Sequence, residues 1–209
     1  MLFRSRTLAP NWDLPKVLKA LKGLPFEPMT EVPLKWVSMK TAFLVAISTA
    51  GRSSDLQNLG CRDPYLRYEK CPRGIRFVPK NLRKQGRPGH CFKDIFVAAY
   101  EDDRKLDPVR AIKIYLRRTK ERRGKLSSLF VTYGAGEVKS PKAQTLAHWV
   151  VDTVQQAYGP GVVKGIRAHS TRGTSTSVAL WKGCGIENIL KAADWSSTCT
   201  FARHYLKEF

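Results

Sequence analysis

Ala168-His169-Ser170-Thr171-Arg172-Gly173 stands at the start of a predicted helix over 171–182, and the i, i+3 spacing puts His169 and Arg172 on one helix face. An imidazole and a guanidinium converging on one point at a helix start make a phosphate-directed pair. On its own, His-x-x-Arg equally describes an ordinary histidine beside a surface arginine. What lies upstream and downstream gives the box its weight.

Upstream, in Ala50-Gly51-Arg52-Ser53-Ser54-Asp55-Leu56, an apolar helix stops and an arginine meets the start of a new helix. A guanidinium held beside free backbone N–H groups is well placed to grip a phosphate. Asp55, three residues on, is positioned to orient it, and Ser53 or Ser54 is the expected cap of a helix over 55–59. Downstream come Ala193-Asp194-Trp195-Ser196-Ser197 and then Thr200-Phe201-Ala202-Arg203-His204-Tyr205. Trp195 offers a donor-only N–H, and Tyr205 offers a hydroxyl on a helix.

The charge balance points to a polyanion. The chain has 209 residues with 37 Lys+Arg against 17 Asp+Glu, a net charge of +20. Self-repulsion of that size works against a compact state; a polyanionic partner is the economical explanation, and nucleic acid is the commonest one. No run approaches the ~18 apolar residues of a membrane span. The N-terminus has no apolar signal segment, and five cysteines without a CxxC pair suggest neither a disulfide framework nor a zinc site. A metal site from Cys61, Cys71, His90 and Cys91 fits no zinc spacing. These features predict an intracellular, reduced protein, with no cofactor, metal, membrane or small-molecule substrate.

The elements read as follows. Asp13, Pro15 and Gly23 bracket a short helix over 14–22, and a proline-broken loop precedes a long apolar helix from Leu34 that ends at Gly51. The β-branched and aromatic stretches 65–68, 74–78 and 92–99 predict three antiparallel strands, with the basic stretch 80–88 as the turn between the last two. Asp107-Pro108 starts a helix running to about Arg123; 129–133 is a strand or an extended connector. Helices follow over 143–158, 171–182, 186–193 and 198–207. The fold class is therefore α+β, a mostly helical domain carrying a small three-stranded antiparallel sheet. The dense run Arg117, Arg118, Lys120, Arg122, Arg123 and Lys125 reads either as a solvated helix end or as a phosphate-backbone contact or nuclear-import signal.

Two arginines, a histidine, a tryptophan and a late tyrosine, in this order, resemble the active site of the tyrosine recombinase/integrase family. That family's pattern is Arg … Lys … His-x-x-Arg … His/Trp … Tyr. The resemblance assigns Arg52 to the first arginine, with Asp55 as its supporting acid. It assigns His169 and Arg172 to the central box, Trp195 to the fourth place and Tyr205 to the nucleophile. The family's lysine lies in the turn between two sheet strands; here Asn81-Leu82-Arg83-Lys84-Gln85-Gly86 makes Lys84 the choice and Lys80 the fallback. The wording of 168–173, 189–197 and 200–205 looks closest to recombinases of DIRS-type retroelements.

The resemblance implies a catalytic domain over 11–209 after an N-terminal extension over 1–10, without the helical core-binding domain that usually precedes it. It implies cleavage and rejoining of DNA through a 3′-phosphotyrosyl link, in recombination or integration of a mobile element. It also implies a homo-oligomer, a tetramer on DNA, for a full-length protein, and a nuclear location. Rival readings are a non-catalytic DNA-binding module, a type IB topoisomerase with the same tyrosine chemistry, and a histone-like role. The His-x-x-Arg and Trp boxes look more like a recombinase than a topoisomerase, and a histone-like role leaves the ordered boxes unexplained.

Overall fold

A computed structural model describes residues 12–78, 94–159 and 161–207. Its centre is a helix apolar on nearly every side. Helix α2 (Leu34–Thr49) buries every residue from Val37 to Ala46, which is the pattern of a helix enclosed by others rather than lying on a surface. Around it, in chain order, stand α1 (Leu14–Ala20), α3 (Ser53–Gln57), α4 (Pro108–Arg118), α5 (Lys120–Arg123), α6 (Ala143–Tyr158), α7 (Ala168–Trp181), α8 (Ile186–Ala193) and α9 (Thr198–His204). α2 packs directly on α4, α6 and α7. The partner helices carry narrower stripes: α6 buries Leu146, Trp149, Val150, Thr153 and Val154, one face at 3.6-residue period.

A three-stranded antiparallel sheet, in the order β1 (Leu66–Lys70), β2 (Arg73–Phe77), β3 (Ile95–Ala98), lies against α2. Register sets its faces. Leu66 opposes Phe77, which opposes Ile95, and Ile75 opposes Val97, so these apolar side chains share the buried face. On the other face the Phe96 ring lies across Gly74, where a Cβ would collide with it, and the Arg76 guanidinium sits 5.3 Å from the ring centre. The α+β class with its small sheet is thus the observed architecture.

Several sequence expectations need correcting. The left-handed residue ending α2 is Ala50 (φ 46°), not Gly51. Gly51 is required for closeness instead, since a Cβ there would stand 2.8 Å from Thr49 Oγ1. The predicted 107–123 helix breaks at Thr119, whose hydroxyl turns back 2.8 Å to the Tyr115 carbonyl and also accepts from Arg123. Of the two alternatives for 129–133, the extended connector is the one observed, tied to the fold by a bridge between Gly60 and Ser128 and by Tyr115 Oη on Val131. Strand 3 is shorter than expected within the described residues, starting at Ile95, and α9 stops at His204. No described helix is long and apolar enough to cross a membrane.

The basic run divides. Arg118 donates to the carbonyls of Met29 and Val32, Arg122 to those of Thr132 and Gly134, and buried Arg123 to those of Ser128 and Leu129. Three of its cations are therefore structural ties between loops, while Arg117, Lys120 and Lys125 are exposed. The alternatives of solvated helix end and phosphate contact apply at most to these three.

Candidate active site

α7 carries the central box and spans two apolar clusters. Val178 packs on the main core. Ala179 and Leu180 pack on a smaller one formed by Ala50, Ile189, Ala193, Trp195 and Phe201. The start of α7 is pinned from outside: Trp12 Nε1 donates to Ser170 Oγ at 3.0 Å, and that hydroxyl donates to the Arg167 carbonyl at 2.7 Å. The box serine, which sequence reasoning left without a role, is the fastener of its own helix.

Arg172 is 2% exposed, the largest of the fully buried side chains. One terminal nitrogen donates to the Ala193 carbonyl at the end of α8. The guanidinium carbon lies 4.8 Å from the Trp195 ring centre and 5.6 Å from that of Tyr205. Burial, then repulsion from Arg52, lowers its pKa to about 10, so it stays charged at neutral pH. Its Nε has no hydrogen-bond partner among the described residues.

Trp195 is reached through a sharp reversal. Asp194 caps α8 in the left-handed conformation (φ 52°), and Trp195 N then donates back to the Leu190 carbonyl at 2.9 Å. Ala50 and Asp194 are the two non-glycine residues with positive φ among the described residues, and each lies within two residues of a predicted site residue. Such backbone is uncommon for alanine and aspartate, and it concentrates where a side chain must be aimed. The indole stacks on Phe201 at 5.4 Å and lies 4.3 Å from the Tyr205 ring. Its Nε1–H is buried and, among the described residues, has no partner.

Tyr205 caps α9, its ring between Trp195 and His169; the His169 ring centre is 5.1 Å away. Partial burial of the imidazole, and then the charges of Arg172, Arg52 and Lys207, hold the His169 pKa below its usual value and favour the neutral base. His169 and Tyr205 line a pocket of about 170 Å³, together with Arg167, Ser170, Gly173, His204 and Lys207. Arg172 and Asp55 line a larger cavity of about 600 Å³ between α8 and the outer face of the sheet.

The structure therefore brings together His169, Arg172, Trp195 and Tyr205. Arg52 enters through its charge, which is felt at both His169 and Arg172. The cap expected at Ser53 or Ser54 is displaced by one residue: Arg52 itself is the N-cap, and Asp55 Oδ2 accepts its backbone N–H at 2.9 Å. Asp55 thus holds the arginine's main chain in a capping-box arrangement. Lys84 and Lys80 lie outside the described residues.

What the sequence did not disclose is the segment after Tyr205. Ser177 Oγ donates to the Tyr205 carbonyl at 3.1 Å and accepts from Lys207 N at 2.8 Å, while Trp181 Nε1 donates to the Lys207 carbonyl at 3.1 Å. A Cβ on Gly173 would stand 2.9 Å from the Tyr205 carbonyl oxygen. Gly173, Ser177 and Trp181, spaced by four, form one stripe on α7 that seats residues 205–207. The spacing was visible in advance, but nothing in sequence says that residues 205–207 fill it.

The sequence matches no protein-family model and no curated protein. Solved structures do match. XerA recombinase superposes with a TM-score of 0.59 at 18% identity, over 94% of this chain and 61% of that one. XerH site-specific recombinase, in a post-cleavage complex on palindromic difH substrate, gives 0.63 at 15% identity, over 97% and 49%. A lambda integrase dimer bound to a COC′ core site gives 0.56 at 14%, over 97% and 49%. The chain spans about half to three-fifths of the length of these proteins. Its fold is that of the tyrosine recombinase catalytic domain.

Proposed function

We propose that this chain cleaves and rejoins double-stranded DNA through a 3′-phosphotyrosyl link on Tyr205. The observation that carries the reading is a pair of unanswered donors. Trp195 Nε1 and Arg172 Nε are buried beside the Tyr205 ring with no partner among the described residues. A buried unpaired donor costs about 1–3 kcal/mol, and two such donors converging beside one tyrosine ring make a place that a ligand oxygen would satisfy. A phosphoryl oxygen next to Tyr205 fits both donors.

The chemistry then runs without ATP. The phenolic proton of Tyr205 passes to neutral His169. The tyrosine oxygen bonds to phosphorus as the bond from phosphorus to the 5′ oxygen breaks, and that oxygen leaves as a hydroxyl after taking a proton, for which Lys84 is the donor by resemblance. Arg52, Arg172 and Trp195 stabilise the extra negative charge on the non-bridging oxygens. Reversal by a 5′-hydroxyl restores the phosphodiester. The likeness of the sequence boxes to those of DIRS-type retroelement recombinases supports reading this reaction as part of the recombination or integration of a mobile element. The domain limits, 1–10 and 11–209, and oligomerisation on DNA belong to the same proposal. DNA-bound assemblies among the structural neighbours, including a lambda integrase tetramer on a Holliday junction, support it.

The test is a nicked suicide duplex, from which the short fragment bearing the new 5′-hydroxyl diffuses away. Wild type is expected to give a denaturation-resistant protein–DNA adduct, and Tyr205→Phe to bind DNA but give none. An adduct persisting in Tyr205→Phe removes the nucleophile assignment. DNA binding with no adduct from wild type on any nicked, supercoiled or branched substrate favours the non-catalytic module.

A further inference from the structure

Lys207 lies two residues beyond the proposed nucleophile, and no role in the cleavage chemistry has yet been given to it. Its backbone is held on both sides, N–H on Ser177 Oγ at 2.8 Å and carbonyl under Trp181 Nε1 at 3.1 Å. Its side chain runs back along α7: Cε lies 3.5 Å from the point a Cβ on Gly173 would occupy. Gly173 is one turn beyond His169 on the same helix, and Lys207 lines the 170 Å³ pocket with His169 and Tyr205. The missing side chain at 173 is thus the channel by which the lysine stem reaches the tyrosine's pocket.

We propose that Lys207 is a supporting cation of the nucleophile's pocket, placed by the docked chain segment to favour transfer of the Tyr205 proton to His169. This rests on the reading of Tyr205 as nucleophile. Two effects act in the same direction. A positive charge in the pocket stabilises the phenolate as it forms. The same charge, with Arg172 and Arg52, keeps His169 neutral and able to accept the proton. Among the described residues, the other charged or titratable groups around this region are Arg167 and His204 at the pocket, and Asp55 and Asp194, whose charges act on Arg172. The backbone bonds to Ser177 and Trp181 remain when the ammonium is removed.

Single-turnover adduct formation on the suicide duplex, followed from mildly acidic to alkaline pH, tests this with wild type, Lys207→Met, Lys207→Arg and Tyr205→Phe. Lys207→Met keeps most of the stem and loses the charge. It is expected to slow cleavage about tenfold to a hundredfold at neutral pH, the scale of one lost charge-stabilising group. Its rate should rise at higher pH than that of wild type, because His169 regains part of its depressed affinity for a proton. Lys207→Arg should restore most of the neutral-pH rate. A Lys207→Met rate and profile equal to wild type overturns the proposal. So does a loss uniform across pH that arginine does not rescue, which marks a merely structural role. Absence of an adduct from wild type is a different failure, that of Tyr205 as nucleophile, and removes the basis of both.

Discussion

Trp195 illustrates how a residue can be worse for folding than its neighbours require. The indole has good stacking partners in Phe201 and Tyr205, yet its N–H is buried without an acceptor among the described residues. Phenylalanine would keep the stacking and discard the unanswered donor. Trp195→Phe should therefore change folding stability by no more than about 1 kcal/mol, loss of ring area offsetting relief of the unpaired group. Adduct formation should fall by about 10²-fold, because a transition-state donor is gone. Thermal melting and single-turnover cleavage of the same preparation check the two halves. A variant that loses stability but cleaves normally would show that the indole N–H has no part in catalysis. Its capacity to donate was legible from residue type alone. Its lack of a partner was not, since that depends on the turn at Asp194 and the close approach of α9.

At the scale of elements, the seat of residues 205–207 on α7 turns on Gly173. In a helix interior alanine is favoured over glycine by about 1 kcal/mol, so by propensity alone Gly173→Ala should stabilise α7. The new Cβ would however meet the Tyr205 carbonyl oxygen at 2.9 Å, and backbone cannot swing aside as a side chain can. The expected result is a melting temperature held or raised, loss of most adduct formation, and faster tryptic cleavage after Arg203 or Lys207. Unchanged cleavage of DNA would show that the segment need not sit where it does. Long periodic elements such as α2 and α6 could be read to within a residue or so, because burial on one or all sides writes itself into the spacing of apolar residues. The break of α4 from α5 at Thr119 could not. It depends on a hydroxyl turning back on its own helix and on Arg123 finding that hydroxyl, and the basic run around it looked continuous. Likewise the candidate site's residue types were visible in order along the chain, while the docking that places Lys207 among them comes from tertiary contact.

For the molecule as a whole, the +20 charge is not all available to a polyanion. Part is consumed in holding the fold, most deeply at Lys40 in the centre of α2, whose ammonium is fully buried. It donates to Glu27 Oε1 and to the Leu21 carbonyl, both at 2.7 Å, while Arg110 reaches the same carboxylate at 2.8 Å and Met29 N donates to it at 3.0 Å. The loop between α1 and α2 is thereby fastened to α2 and α4 at once. Burial pushes the Glu27 carboxyl upward, but the hydrogen bonds from Arg110 and Lys40, Lys40's charge and the Met29 N–H outweigh it and bring the pKa down to about 2 from 4.5. A carboxylate depressed in the folded state contributes stability that is fully present above its unfolded value and is lost as pH falls through its folded value. The shift corresponds to about 3 kcal/mol. Wild type should therefore lose stability progressively between about pH 4.5 and pH 2, where the chain also becomes still more positive. Glu27→Ala should remove this acid dependence and cost about 3–5 kcal/mol at neutral pH, because Lys40, whose charged form burial already disfavours, is left without its carboxylate in the core. Urea unfolding at neutral and acid pH measures both. Glu27→Ala combined with Lys40→Met should recover much of the loss, since an apolar side chain of similar length can fill the vacated volume. If the double variant is no more stable than Glu27→Ala, the cost lies in unfastening the loop rather than in the stranded charge.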